Sequence, residues 1–279
     1  MLRYAYLLGL ATMAMAPVAA QQSTPTTLPD ASSPNDVIVS ALRIPREKLP
    51  TQIEWDQSNV LGGRIAREKA DMFLRCATKI SRLSTLRRIV DGMPNSADAR
   101  TAQGSLLAAS EGCYPPEHLA ARYAAVAGPF SSPYPIAPID LGTSSLDRGV
   151  IMERVLMKYA PDAALTRAQT ENIAIRERFN IREEERNRLR QPGDLGALRF
   201  ASCLVRRQPE LATRLVKSAP GTDLERGLTQ TIIIEARECV GDAKRVTIDP
   251  NVIRVYVVDA FYRWVVAARG VDSLIPKDA

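Results

Sequence analysis

An internal repeat anchored on four cysteines is the feature of this sequence that most constrains its fold. The stretch FLRCATKISRLSTLRRIVDGMPNSADARTAQGSLLAASEGC, residues 73–113, aligns with FASCLVRRQPELATRLVKSAPGTDLERGLTQTIIIEAREC, residues 200–239. In each copy a Phe precedes a Cys by three residues, a short helix bearing arginines follows, and a Pro-containing turn leads to a longer helix that ends at a second Cys. The two cysteines are 37 residues apart in one copy and 36 in the other. This self-similarity predicts two related helical units.

The helical character of these units follows from the spacing of their apolar residues. In RIAREKADMFLRCATKISRL the apolar positions fall at helical spacing and define one face, with Phe73 and Cys76 pointing inward. The members of that face are Ile65, Met72, Phe73, Cys76, Ile80 and Leu83. Ser96 is placed to cap a helix, Thr222 and Glu225 form a predicted capping box, and Pro209 suits a first helical turn.

A third helix completes each predicted unit. RGVIMERVLMKY begins at Arg148 and RVYVVDAFYRW begins at Arg254, and each places an acid five residues after its Arg. These acids, Glu153 and Asp259, occupy matched positions, which favours a repeated structural pairing over a single active site. NVIRVYVVDAFYRWVVAA is apolar on most sides, as a central buried helix is.

The whole chain is therefore predicted to be all-α, with two related disulfide-stapled three-helix units after a disordered N-terminal extension. RERFNIREEERNRLRQPGD, between the units, mixes charges of both signs and is predicted to be a solvated linker or helix. The predicted segments are a signal peptide (1–20), the extension (21–62), unit 1 (63–160), a charged linker or helix (161–194), unit 2 (195–270) and a C-terminal tail (271–279).

The first twenty residues predict export. Arg3 gives a positive start, an apolar run follows, and Val18 and Ala20 supply small residues before Gln21, as at a signal-peptide cleavage site. The apolar run is too short for a stable span, and no later stretch offers about 20 residues without charge, so no membrane span is expected. We expect a periplasmic or secreted protein.

Four cysteines in an exported chain predict two disulfides, for which three pairings are possible. The repeat favours Cys76 with Cys113 and Cys203 with Cys239, because a duplicated unit that closes on itself carries its own disulfide. A zinc site needs close ligand pairs, and the sole His118 lies five residues from the nearest Cys, so no metal is expected.

No catalytic signature is found, and no cofactor is expected. His118 has no partner in the sequence, which is typical of a surface residue. Glu235 is predicted to lie on the buried face of its helix, three residues after Ile232 and four before Cys239. A salt bridge to an Arg is favoured there over a catalytic carboxylate, because buried charges are normally paired.

The formal net charge of +6 does not indicate nucleic-acid binding. The arginines are scattered among acids, whereas a nucleic-acid footprint clusters on one face. Binding of anionic polymers or membranes remains an alternative function if arginines of the two copies lie together on one surface. The candidates are Arg82, Arg87, Arg88, Arg206 and Arg207.

The extension contains one strand-like segment, DVIVSALRIP at residues 36–45, within a region rich in Ser, Thr and Pro. Such a strand either stays solvated, packs near RVTID of the body, or adds to the sheet edge of a partner protein. The residues that would make that contact are Val37, Ile38, Val39, Leu42 and Ile44.

Two resemblances bear on these predictions. The body, from Cys203 through Cys239 with its CLVRR stretch, resembles uncharacterised exported helical proteins of Gram-negative bacteria, which imply no activity. DVIVSALRIP is similar to the energy-coupling box at the start of TonB-dependent outer-membrane receptors, with Ser40 in place of the usual Thr. That resemblance implies a periplasmic partner, although nothing after Pro50 is typical of a receptor plug or barrel.

The sequence therefore favours a non-catalytic interaction or scaffold protein with an unknown protein partner in the cell envelope. An enzyme with a buried, unpaired carboxylate and a binder of anionic polymers are the competing classes. Pocket geometry distinguishes the first of these, and the surface distribution of arginines distinguishes the second.

Overall fold

The structure is a computed structural model that describes residues 52–55, 60–113, 145–241 and 245–277. The predicted signal peptide, the strand-like segment 36–45 and His118 lie outside the described residues. All described residues belong to one compact unit.

The first copy of the repeat begins with a short strand and three helices. The strand is β1 (Gln52–Trp55), and the helices are α1 (Val60–Ile80), α2 (Leu83–Val90) and α3 (Ala97–Ala109). A 3₁₀ turn, Glu111–Cys113, carries the second cysteine, and α4 (Ser145–Tyr159) is the third predicted helix of the unit.

The second copy repeats the order of the helices, but not the position of the strand, after two intervening helices. Those helices are α5 (Arg167–Glu171) and α6 (Ile173–Arg186), and the copy itself contains α7 (Pro192–Arg207), α8 (Pro209–Lys217) and α9 (Asp223–Glu235). A 3₁₀ turn, Arg237–Val240, then leads to β2 (Arg245–Ile248) and α10 (Pro250–Arg269).

Both copies are closed by their own disulfide. Cys76 of α1 is bonded to Cys113, and Cys203 of α7 is bonded to Cys239, with a Cα–Cα distance of 5.6 Å in each case. The second cysteine of each pair lies on a 3₁₀ turn, not at the end of the long helix as the sequence predicted. The predicted all-α fold with two disulfides is confirmed.

The predicted helix starts are largely confirmed. Ser96 Oγ accepts a hydrogen bond from the Ala99 N–H at 3.1 Å, and Thr222 Oγ1 accepts one from the Glu225 N–H at 3.2 Å. The Glu225 carboxylate, however, accepts from the Gly221 N–H one residue further out, so only the hydroxyl half of the predicted capping box forms.

The inward face of α1 differs in part from the prediction. Phe73 is fully buried as expected, but the Met72 side chain is 56 % exposed and the neighbouring Leu74 is fully buried in its place. The face of α1 that contacts the core is therefore shifted by one residue around the helix from the predicted face.

The core is organised around α10. This helix is buried along nearly its whole length and contacts α1, α4, α6, α7 and α8, so the two repeat copies share one hydrophobic core. It packs tightly against α4 at Gly149, where an added Cβ would lie 2.3 Å from the Cβ of Val255. A glycine is needed there because any side chain would force the two helices apart.

A two-stranded parallel sheet joins the start of the described chain to its end. Gln52 lies opposite Arg245 and Trp55 opposite Ile248. The strand 245–248 is the RVTI stretch, and its partner lies inside the segment predicted to be a disordered extension. That prediction is wrong for residues 52–55 and 60–62, which form β1 and the first turn of α1.

The segments predicted to be peripheral also contribute to the core. Leu274 and Ile275 of the predicted C-terminal tail are buried, and the Ile275 carbonyl accepts a hydrogen bond from Arg87 at 3.0 Å. Phe179 of the predicted charged linker stacks on Trp264 of α10, with ring centroids 4.2 Å apart. Among the helices that the structure describes, none is long and apolar enough to cross a membrane.

Candidate functional site

Two clusters of buried charged residues lie where the helices of the repeat meet. The first, called here the Glu153 cluster, contains Glu153, Arg67, Arg254 and Glu225. The second, called the Asp259 cluster, contains Asp259, Arg148, Arg186, Arg190, Arg263, Asp194 and Glu183. Buried charges require partners, so the contacts within each cluster determine what it can do.

In the Glu153 cluster, one carboxylate is shared by two arginines. Arg67 Nη2 lies 2.7 Å from Glu153 Oε2, and Arg254 Nε lies 2.7 Å from Glu153 Oε1. Arg254 also donates to the Leu215 and Ser218 carbonyls at the end of α8, at 2.9 and 2.8 Å. Burial lowers the pKa of Arg67 despite the opposing effect of Glu153. The cluster thus ties α1, α4, α8 and α10 together.

In the Asp259 cluster, one carboxylate lies among four arginines. Arg190 Nη2 is 2.8 Å from Asp259 Oδ2 and Arg263 Nε is 3.1 Å from Oδ1, while Arg186 and Arg148 lie at 3.7 and 4.0 Å. Burial raises the pKa of Asp259, but the surrounding arginines outweigh it and hold that pKa well below its usual range. Asp259 is therefore a fixed anion at neutral pH.

Each cluster contains one of two reciprocal contacts between matched residues. Arg148 of α4 faces Asp259 of α10, and Arg254 of α10 faces Glu153 of α4. Each arginine therefore pairs with the acid of the other copy, not with the acid five residues along its own helix. The predicted repeated structural pairing of Glu153 and Asp259 is confirmed, and it crosses between the copies.

A cavity of about 440 Å³ opens beside the Asp259 cluster, between α6, α10 and the turn after α2. Its wall contains Phe179, Val266 and Ala267 on the apolar side. Its charged side is formed by three arginines and three acids: Arg182, Arg186, Arg263, Asp91, Glu183 and Glu185.

Most polar groups at this cavity are already bonded within the protein. Tyr262 donates its hydroxyl hydrogen to Asp91 at 2.9 Å, and burial together with the Asp91 charge raises the pKa of Tyr262 to about 12. Ser273 donates to the other Asp91 oxygen at 2.6 Å. Arg182 donates to the carbonyls of Val271 and Asp272. These groups fix the shape of the cavity.

Glu235 does not lie in either cluster, and its predicted burial is wrong. Its side chain is exposed at the last residue of α9. The helix ends there, so the spacing of four residues to Cys239 is not a helical spacing and does not place both residues on one face. Only the Glu235 carbonyl has a described role, as acceptor of a 3.2 Å hydrogen bond from Gln208.

The arginines proposed for a polyanion surface are partly engaged in other contacts. Arg88 bonds to Asp98 at 2.9 Å, and Arg207 lies 3.0 Å from Glu238. Within the described ranges no group of three or more His, Cys, Asp or Glu side chains could hold a metal ion.

Sequence reasoning identified Glu153 and Asp259 but missed Arg186 and Arg190. Both belong to the run of mixed charges that was predicted to be solvated, yet each is at least 93 % buried, with exposed fractions of 7 % and 6 %. The single aromatic residue of that run, Phe179, was the available signal that the segment packs against the body.

No protein-family model, curated protein or solved structure matches this chain. Functional assignment therefore depends on the residues themselves. The two disulfides are typical of proteins that fold outside the reducing cytoplasm.

Proposed function

We propose that this chain is an exported, non-catalytic interaction protein of the periplasm that holds a partner through its N-terminal extension. The observation that most directly supports a structural role for the helical body is that its buried carboxylates are held in ion pairs. Glu153 is shared by two arginines and Asp259 lies among four, so both acids serve to join helices. A general acid or base, in contrast, needs a carboxylate that can exchange a proton near neutral pH.

The strand β1 connects the chain that follows the extension to the helical body. β1 pairs with β2, directly before the buried helix α10, so residues 52–55 are held against that body. The strand-like segment ends at residue 45, and the seven residues from there to Gln52 reach at most about 25 Å when extended. A partner bound to that segment would therefore be held close to the helical body.

The proposed mode of binding is β-augmentation by Val37, Ile38, Val39, Leu42 and Ile44. A strand added to a sheet edge gains main-chain hydrogen bonds, and its alternate side chains give specificity. The proposed partner is the periplasmic energy-coupling protein, because it binds the energy-coupling boxes that this segment resembles.

The first prediction tests this mode with two substitutions at one position. Ile38→Pro removes a backbone donor and fixes φ, so it should abolish binding to the partner's periplasmic domain. Ile38→Val keeps the backbone and β-branching and should change affinity by less than about threefold. Titration of labelled protein, followed through the amide resonances of residues 36–45, measures both.

Two results would contradict the proposal. One is an absence of shift changes in residues 36–45 at high partner concentration. The other is a proline variant that binds as well as the unmodified chain, which would assign binding to the helical body instead.

A further inference from the structure

Three arginine side chains lie close together on the surface where the end of α7 meets the start of α6. Arg206 and Arg207 are the last two residues of α7, and Arg176 lies in the first turn of α6. The short helix α5 directly precedes α6, and its Thr170 hydroxyl donates to the Arg206 carbonyl at 2.8 Å. This contact holds the start of α6 beside the end of α7. The three side chains are called here the Arg206 patch.

The Cys203–Cys239 disulfide brings one acid to this patch. Cys203 lies one helical turn before Arg207, and Cys239 directly follows Glu238. Arg207 Nε lies 3.0 Å from Glu238 Oε1, and the two side chains are 44 % and 50 % exposed. An ion pair that is this exposed contributes little to stability, so Arg207 can exchange Glu238 for another anion.

The other two arginines of the patch have no such partner. Among the described residues, none accepts a hydrogen bond from the side chain of Arg206 or of Arg176. Arg206 is partly buried and Arg176 is exposed, so both are open to solvent. Burial, followed by the charges of Arg207 and Arg176, lowers the pKa of Arg206 against the opposing effect of Glu238. The guanidinium groups therefore repel one another, and an anion between them would relieve this repulsion.

The repeat provides an internal comparison for these arginines. Arg206 and Arg207 are the third and fourth residues after the first cysteine of the second copy, and the matched residues of the first copy are Lys79 and Ile80. The first copy forms the corresponding helices and its own disulfide without an arginine at either position. The arginine pair is therefore not needed to build a copy of the repeat, which favours a role in binding.

The net charge of the patch restricts the kind of anion. The three arginines contribute +3 and Glu238 contributes −1, which gives a formal charge of +2. A phosphate monoester carries about −1.5 to −2 at pH 7 and presents three acceptor oxygens. A carboxylate or a phosphate diester carries a single negative charge and would leave part of the patch uncompensated. Guanidinium groups also match phosphate in geometry, because they donate two parallel hydrogen bonds to it.

We propose that the Arg206 patch binds the phosphate group of a phosphate monoester. Arg176, Arg206 and Arg207 donate hydrogen bonds to the phosphate oxygens, and Arg207 leaves Glu238 to do so. A soluble sugar phosphate and the headgroup of a phosphomonoester lipid present the same group to the patch. This site is separate from the extension and does not depend on the proposed β-augmentation.

Two matched phosphates test the ligand class with the full mature chain. The probes are glycerol 3-phosphate, a monoester, and dimethyl phosphate, a diester with a single charge. NMR titration at pH 7 should show saturable shifts of the amide resonances of residues 203–208 with glycerol 3-phosphate, and dimethyl phosphate should bind about tenfold more weakly. Equal binding of the two probes would overturn the assignment of a phosphate monoester.

Vesicles distinguish the two sources of the phosphate group. The protein is sedimented with phosphatidylcholine vesicles that contain or lack phosphatidic acid, whose headgroup is a phosphate monoester. Sedimentation that requires phosphatidic acid would assign the patch to a lipid headgroup. Binding of glycerol 3-phosphate without such sedimentation would assign it to a soluble ligand. Absence of both kinds of binding would overturn the proposal.

A pair of charge-removing substitutions tests the location. Arg206→Gln removes a charge from the patch, whereas Arg226→Gln removes one from α9, where the Arg226 side chain is 63 % exposed and pairs with Asp223. Arg206→Gln should weaken binding of glycerol 3-phosphate, or of phosphatidic acid vesicles, about tenfold or more. It should not lower the melting temperature, because the neighbouring arginines repel Arg206. Arg226→Gln should leave binding unchanged, and equal effects of the two substitutions would place the phosphate elsewhere and overturn this assignment.

Discussion

Asp259 shows how a single buried residue can determine the pH range in which this protein is folded. Its carboxylate bonds directly to Arg190 and Arg263 and lies near Arg186 and Arg148. In the unfolded chain the same carboxyl has an ordinary pKa of about 3.9. The folded protein therefore resists protonation of Asp259 at pH values where the unfolded chain already takes up the proton.

The second prediction is an acid-dependent loss of stability. A group with a lowered folded-state pKa contributes stability that is present above its unfolded pKa and is lost as pH falls toward the folded value. The free energy of unfolding should thus change little between pH 7 and about pH 5 and should fall below about pH 4. Urea unfolding at a series of pH values measures this dependence.

Asp259→Asn provides the variant for this prediction, and Asp223→Asn is its control. Removing one partner of a buried ionic cluster typically costs about 3–5 kcal/mol, so Asp259→Asn should destabilise at pH 7 and should show a shallower loss in acid. Asp223 pairs with Arg226 on the surface, and its side chain is 96 % exposed. Asp223→Asn should stay within about 0.5 kcal/mol of the unmodified chain at pH 7. Similar values for both variants would contradict the assigned role of Asp259.

At the scale of single elements, α6 differs most from its prediction. A run of mixed charges usually lies in water, and most of α6 does, but Phe179, Arg186 and the following Arg190 are buried. Charge pattern alone did not reveal these residues, because their partners Asp259 and Trp264 lie about 70 positions or more further along the chain. A lone Phe in such a run indicates contact with the body more clearly than the charges indicate solvation.

The third prediction tests whether α6 is part of the folded body. Phe179→Ala removes the ring that stacks on Trp264 and should lower the free energy of unfolding by about 3 kcal/mol, as is typical of a buried Phe. Ile173→Ala, at an exposed position of the same helix, should change it by no more than about 0.5 kcal/mol. Chemical unfolding followed by far-UV circular dichroism measures both, and an unchanged stability of Phe179→Ala would support the original interpretation as a linker.

Local rules predicted other elements well. Ser96, Thr222 and Pro209 each occupy the predicted helix start, because a cap depends on neighbouring atoms only. The burial of Glu235 was predicted wrongly because the spacing of apolar residues does not show where α9 ends. The helical spacing was therefore extended beyond the end of the helix to Cys239. Strand β1 was missed because its partner, β2, lies at the far end of the chain.

At the scale of the whole molecule, the two copies of the repeat form one body. Arg148 of the first copy faces Asp259 of the second, and Arg254 of the second faces Glu153 of the first. α4 and α10 therefore run in opposite directions and exchange equivalent contacts, as two subunits do around a two-fold axis. The repeat predicted the disulfides and the matched acids, but only the structure shows that the acids pair across the copies.

The last prediction follows from this shared core. Because α10 packs against helices of both copies and both charge clusters cross between them, neither copy can unfold while the other stays intact. A Trp55→Phe variant keeps Trp264 of α10 as its only Trp, which reports on the surroundings of that helix, while far-UV circular dichroism reports on all helices. The two signals should give the same urea midpoint and the same slope, as a two-state transition requires. Two separate transitions would mean that the copies are independent domains, and the crossed Arg148–Asp259 and Arg254–Glu153 contacts would then contribute little to holding them together.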